Sequence, residues 1–209
     1  MNPMRERAKE HFPTVVLTLL SIVQALALEL LWSHFGTADY LFEPTWIALI
    51  SWVQVATTFL GIALIWVIYA SNVMRFRWVP TTTDSVVPFI IGLLEFMLVE
   101  TLGPEQLGVW FVLMAALVGI MNWIAHATMR RARRDQDNEA FFRGVGPATP
   151  GDFAPQIAMV AILTLTGTYL WITSDQGGFA MTALLATGAL LTWQYREAAK
   201  FWKRSLADD

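Results

Sequence analysis

Three glutamates interrupt stretches that are otherwise apolar: Glu29, Glu95 and Glu100. An ionised carboxylate in hydrocarbon is costly, so such a group is normally paired, protonated or hydrated. No Lys or Arg shares these stretches, which removes pairing with a base. What remains is the chemistry of protons and cations: a carboxyl that exchanges a proton or holds a cation, with polar side chains on neighbouring helices beside it. Gln54 and Thr58 lie one helical turn apart, in a stripe with Ser51 and Gly61. Ser21 belongs to a second stripe with Thr14, Thr18, Ala25 and Glu29, at steps of three or four. Asn122 and His126 form a third with Gly108, Ala115 and Gly119. Pro88, Gly92 and Glu95 share a face, and Glu100 is turned from it by about 140° at 100° per residue. Glu95, near the middle of its stretch, is expected to bond Gln54 or a backbone carbonyl. Glu29 and Glu100 lie nearer an end.

Other chemistries find no residues. There are no cysteines, so disulfides, thiolate nucleophiles, iron–sulfur clusters and Cys-ligated zinc are out. No HExxH spacing or phosphate-binding glycine loop occurs. His34 and His126 belong at opposite membrane faces, which disfavours one haem held by both. Lys9, Lys200 and Lys203 all lie outside the apolar stretches, so a retinal Schiff base has no lysine. No metal, cofactor or nucleic acid is expected.

The elements that must position these groups follow from composition. Of 209 residues, 56% are apolar and 15% charged, where a soluble domain carries about 25% charged residues. Crossing a hydrocarbon core of roughly 30 Å takes roughly 20 apolar helical residues. Six stretches qualify: 12–33, 45–72, 86–103, 107–128, 154–173 and 178–195. The fold class is therefore all-α and integral to the membrane, a single domain over 1–209 built as three helical hairpins. All 14 Lys and Arg fall before the first stretch, after the sixth, or in the second and fourth connections. The connections 33–44, 103–106 and 174–177 contain none. The positive-inside rule then puts both termini in the cytoplasm, and a bacterial inner membrane is expected. The first stretch reads as a retained helix rather than a cleaved signal.

Trp32, Trp46, Trp52, Trp110 and Trp171 fall toward the outer ends, and Trp78, Trp123, Trp193 and Trp202 toward the inner ends, as two aromatic belts. Trp66 alone is interior. Residues 129–152 form a basic cytoplasmic loop, with a helical start and then a Gly/Pro run that must be exposed. Its Arg130, Arg131, Arg133 and Arg134 are placed to meet anionic headgroups or a partner. Asp84 or Thr83 is expected to cap the third helix, and Asp152 the fifth.

Three functions compete. The first is a small channel or carrier for a cation or proton, using Glu95, Glu29, Glu100, Gln54, Thr58, Ser21, Asn122 and His126. The second is a non-catalytic subunit or scaffold, in a homo-oligomer or a larger membrane complex. The third is an intramembrane or lipid-handling enzyme near the inner leaflet, using Asn122, His126 and the Arg cluster. In layout the chain resembles the small bacterial relatives of the lysosomal potassium channels, whose first helix opens on Arg-x-x-x-Phe-Ser-Asp. Here the stretch is Arg7-Ala-Lys-Glu-His11-Phe12-Pro13, without Ser-Asp, so the resemblance covers the layout alone.

Overall fold

Long apolar runs with few helix breakers form long helices, and the computed structural model describes them over residues 3–144 and 146–206. Residues 1–2, Val145 of the basic loop and residues 207–209 lie outside the described residues, as do the side chains of Phe201, Arg204, Ser205 and Leu206. The helices are α1 (Pro3–Phe35), α2 (Trp46–Arg75), α3 (Thr82–Glu100), α4 (Leu107–Ala132), the short α5 (Glu139–Phe142), α6 (Ala154–Thr173) and α7 (Gly178–Leu206). Five of them, α1, α2, α3, α4 and α6, are long and apolar enough to cross a membrane. The chain is an all-helical integral membrane protein. α7 has the length, but Thr182, Thr187, Thr192 and Gln194 dilute its apolar run.

Packing divides the bundle unevenly. α1 lies against α3 and α2, α4 makes its most extensive seam with α6, and α7 packs on α2. α6 and α7, expected as a hairpin, bring few backbone positions close together and meet through side chains such as Tyr169 and Phe179, and α2 and α4 likewise meet through the Trp110–Thr58 bond. Two tight pairs, α2/α7 and α4/α6, thus face each other across a wider gap. Glycines set the tight seams. A methyl group on Gly108 or Gly167 would run into the backbone of the opposing helix, and one on Gly92 would collide with Val23. Small residues that let backbones approach are the usual means of packing helices in lipid.

The third helix is capped by neither candidate alone. Thr81 is its N-cap, and its amide and hydroxyl both donate to Asp84 Oδ2, at 2.7 and 3.1 Å. Thr83 takes no part. Asp152 closes the 3₁₀ turn Pro150–Phe153 from Thr149 rather than capping α6 itself.

The belts also need amendment, because Trp110 and Trp78 are core residues. Phe76 and Trp78 form a small second core with Ala132, on which Phe142 packs. That core docks the first half of the basic loop, whose helical start ends at Ala132 and gives way to the turn Gln136–Asn138 and α5. Asn138 Nδ2 donates to the carbonyls of Arg77 and Ala132, at 2.6 and 2.8 Å, and the Arg77 amide donates back to Asn138 Oδ1 at 3.1 Å. An asparagine amide can tie two backbone segments at once because it carries two donors and an acceptor. The Gly/Pro run beyond, 146–151, is exposed.

Candidate functional site

α1 buries Val16, Leu20, Val23, Gln24, Ala27 and Leu31. The expected polar stripe is therefore on the wrong face: Thr14, Thr18, Ala25 and Glu29 are exposed, and Ser21 is half-buried. The hydroxyls need no interior partner. Thr18 donates to the Thr14 carbonyl and Ser21 to the Leu17 carbonyl, both at 2.9 Å and both within α1. Ser21 also accepts from Trp66 Nε1 of α2 at 3.1 Å.

Gln24, absent from the sequence candidates, is the group that meets Glu95. Its Nε2 donates to Glu95 Oε1 at 3.1 Å and to the Ile62 carbonyl at 3.0 Å, joining α1, α2 and α3. Glu95 is fully buried, and its Oε2 has no hydrogen-bond partner. The signal that could have found Gln24 is chemical. Unlike the short hydroxyls beside it, its amide spends both bonds across helices, and it stands i+4 from Leu20 on the face of α1 that ends up buried.

The α2 stripe is buried as expected, with Ser51, Gln54, Thr57 and Thr58 all inside. Its partners differ from those expected. Gln54 turns to the end of α3, donating to the Thr101 carbonyl at 3.3 Å and accepting from the Gly103 amide at 3.0 Å. Thr58 donates to the Gln54 carbonyl and accepts from Trp110 Nε1, each at 2.9 Å. Glu29 and Glu100 are exposed toward the opposite end of the bundle from the Lys9 contacts described below. Asn122 bonds within α4 to the Val118 carbonyl at 2.9 Å, and His126 lies edge-on to Phe153 with ring centres 4.6 Å apart. The eight pathway candidates thus fall at separate places, and Gln54 with Thr58 is the one pair brought together.

The Arg cluster is divided too. Arg131 Nη2 donates to Asp84 Oδ1 at 2.6 Å and its Nη1 to Thr81 Oγ1 at 3.2 Å, which staples α4 to the start of α3. Arg133 lies over the Phe142 ring at 4.5 Å and donates to the Gly146 carbonyl at 2.6 Å. Arg130 and Arg134 are exposed.

At this end Lys9 Nζ reaches both oxygens of Asp135, at 2.8 and 2.7 Å, and Asp137 at 3.2 Å. Burial opposes charge on Asp135, but the hydrogen bonds from Lys9 and from the Asp137 amide outweigh it and hold the carboxyl below its usual range. A depressed folded-state value means that this clasp stabilises at neutral pH and is lost as pH falls below about 4. Thermal midpoints measured against pH test this. The wild type is expected to lose stability on that acid limb, whereas Asp135→Asn starts lower at pH 7 and loses less. Parallel curves for the two proteins would remove Asp135 from the clasp.

An opening lies between the two tight pairs, on the basic side of the Thr58–Trp110 bond. It is a cleft of about 500 Å³. Gly61, Leu64, Met114, Leu117 and Leu191 line its deep part. Asn72, Asn122, Gln156 and Gln194 line it farther toward the basic end, where Glu197 and Lys200 stand at its mouth, paired at 2.7 Å. From Gly61 to Asn72 is about 16 Å along α2, at 1.5 Å per residue. Such a volume, apolar with a few polar groups gathered at one end, is typical of small-molecule sites. Comparison with protein-family models, with curated proteins and with solved structures gave no match to this chain.

Proposed function

We propose that the chain is a six-span protein of a bacterial inner membrane, with both termini cytoplasmic, that binds an amphiphilic lipid in the α2/α4/α6/α7 cleft. The observation that carries this reading is the polarity gradient of the cleft. Its apolar depth suits an acyl chain, and its amides lie toward the basic end, where a headgroup of the inner leaflet would be. α7 is the sixth span and forms with α6 a hairpin that is splayed at its open end. Every Lys and Arg on one side supports the orientation. A reporter fused at the C-terminus is expected to be active only as a cytoplasmic reporter; periplasmic activity there would overturn the topology. Arg130 and Arg134, free of the internal contacts that hold Arg131 and Arg133, are left to meet anionic headgroups.

Filling the cleft tests the lipid reading. A Cβ on Gly61 would have side-chain atoms of Met114 and Leu191 as its nearest neighbours, at ordinary contact distances of 3.6 to 4.0 Å, so Gly61→Phe is the substitution that fills the deep part. Mass spectrometry of the gently solubilised chain is expected to find retained lipid in the wild type, falling at least tenfold in Gly61→Phe. Equal retention in both would sink the proposal.

Two other readings each keep one observation. A subunit or homo-oligomer role rests on the exposed α1 face of Thr14, Thr18, Ala25 and Glu29, since polar groups in lipid ordinarily face protein. Cation or proton transport rests on the unpartnered Oε2 of Glu95.

A further inference from the structure

The cleft's polar end carries a specific hydrogen-bonding imbalance. Asn122 uses Nδ2 on the Val118 carbonyl, and its Oδ1 accepts nothing from the described residues. Gln156 Oε1 is buried with no hydrogen-bond partner. Asn72 has neither side-chain group engaged, and Gln194 Nε2 has only the Met159 sulfur at 3.5 Å, a weak acceptor. Ser71 donates its hydroxyl to the Val67 carbonyl within α2. The buried orphan among these groups is an amide oxygen, Gln156 Oε1, which asks for a donor.

Charge points the same way. The charged residues lining the cleft are Glu197 and Lys200, which neutralise each other at its mouth. Among the described side chains that line the cleft, a phosphate headgroup would find no unpaired cation and would face Glu197. An uncharged head keeps that pair intact and loses no ion hydration on entry. A buried acceptor left without a donor is costly, so a ligand that supplies one is selected over a ligand that does not.

Building on the lipid reading above, we infer that the cleft selects an uncharged lipid whose head is a hydroxyl donor, of the diacylglycerol kind, over anionic phospholipids. The hydroxyl donates to Asn122 Oδ1 or Gln156 Oε1, and the Asn72 amide answers an ester carbonyl. One chain occupies the apolar depth toward Gly61, and the remainder stays in the bilayer.

The test uses the full chain in phosphatidylcholine nanodiscs with three photoactivatable probes of identical chains: a diacylglycerol, the same molecule with its hydroxyl acetylated, and a phosphatidic acid. Crosslinks are mapped by peptide mass spectrometry. The diacylglycerol is expected to label cleft residues of α2, α4 and α7 about tenfold more than either other probe. Asn122→Leu and Gln156→Leu are each expected to reduce that labelling severalfold. The acetylated probe removes the donor without altering the protein, so the result stands even where a variant fails to fold. Equal or stronger cleft labelling by phosphatidic acid, or full labelling by the acetylated probe, overturns the donor inference and leaves the lipid-binding cleft standing. Wild-type labelling confined to the outward faces of the helices, with none in the cleft, overturns both.

Discussion

Gln24→Leu is expected to destabilise the protein more than Glu95→Leu, although the two residues share one hydrogen bond. The coupling of a polar pair between membrane helices is about 1 kcal/mol. Glu95→Leu loses that coupling and leaves Gln24 its second acceptor, the Ile62 carbonyl 3.0 Å away, while a leucine fills the vacated space. Gln24→Leu strands the whole carboxyl, whose Oε1 has no hydrogen-bond partner other than Gln24 and whose Oε2 already has none. An orphaned buried acceptor adds about 1–3 kcal/mol, so the loss is about 2–4 kcal/mol for Gln24→Leu against about 1 kcal/mol for Glu95→Leu. The double Leu variant then recovers part of the Gln24→Leu loss, because no polar group is left stranded. Denaturation in mild detergent, run as a double-mutant cycle, reads this order. Additive losses would mean that the pair is not coupled.

The same site separates structure from transport. An amide has much the same shape as a carboxyl and keeps its bond to Gln24, so Glu95→Gln is expected to preserve the fold. In liposomes, a wild type that conducts protons or cations and a Glu95→Gln variant that does not would restore Glu95 to a transport path. Unchanged flux in Glu95→Gln, beside a conducting wild type, would confine Glu95 to its structural bond and leave Glu29 as the next candidate.

What could be read from the sequence follows a physical division. Helix length and apolarity are local properties, and they gave the limits of α2, α4 and α6 to within a few residues. The buried α2 stripe was legible because Ser51, Gln54, Thr58 and Gly61 recur at steps of three or four along an otherwise apolar run. The α1 stripe misled for the complementary reason. Thr18 and Ser21 close on their own backbone and so carry no information about which face is inside. The docking of the basic loop depended on Asn138 finding Arg77, 61 residues away, a pairing that neither periodicity nor charge encodes. The cleft was illegible too, since it is the space between α2/α7 and α4/α6 and belongs to no single segment.

That space depends on how closely α6 is held, which makes Gly167 the most consequential position in the bundle. A Cβ there would stand 2.7 Å from the Gly108 carbonyl oxygen and 2.9 Å from both Phe111 Cβ and Val112 Cγ2. These are backbone or near-backbone atoms of α4 and cannot rotate aside, so Gly167→Val must push the helices apart. Overpacking of this kind costs about 1–3 kcal/mol. Gly119 lies on the same seam, but a Cβ there would meet only Val160 Cγ2, at 3.8 Å. Gly119→Ala is therefore expected to be silent, and it serves as the control for substitution within the seam. The effect is expected to reach the cleft, because α6 carries Gln156 to its polar end and Met159 to Gln194 of α7. Gly167→Val should thus lower both the thermal midpoint and the lipid retained on solubilisation, while Gly119→Ala changes neither. A Gly167→Val protein with lowered stability but full lipid retention would show that the cleft does not depend on the position of α6, and would assign the binding surface to α2, α4 and α7 alone.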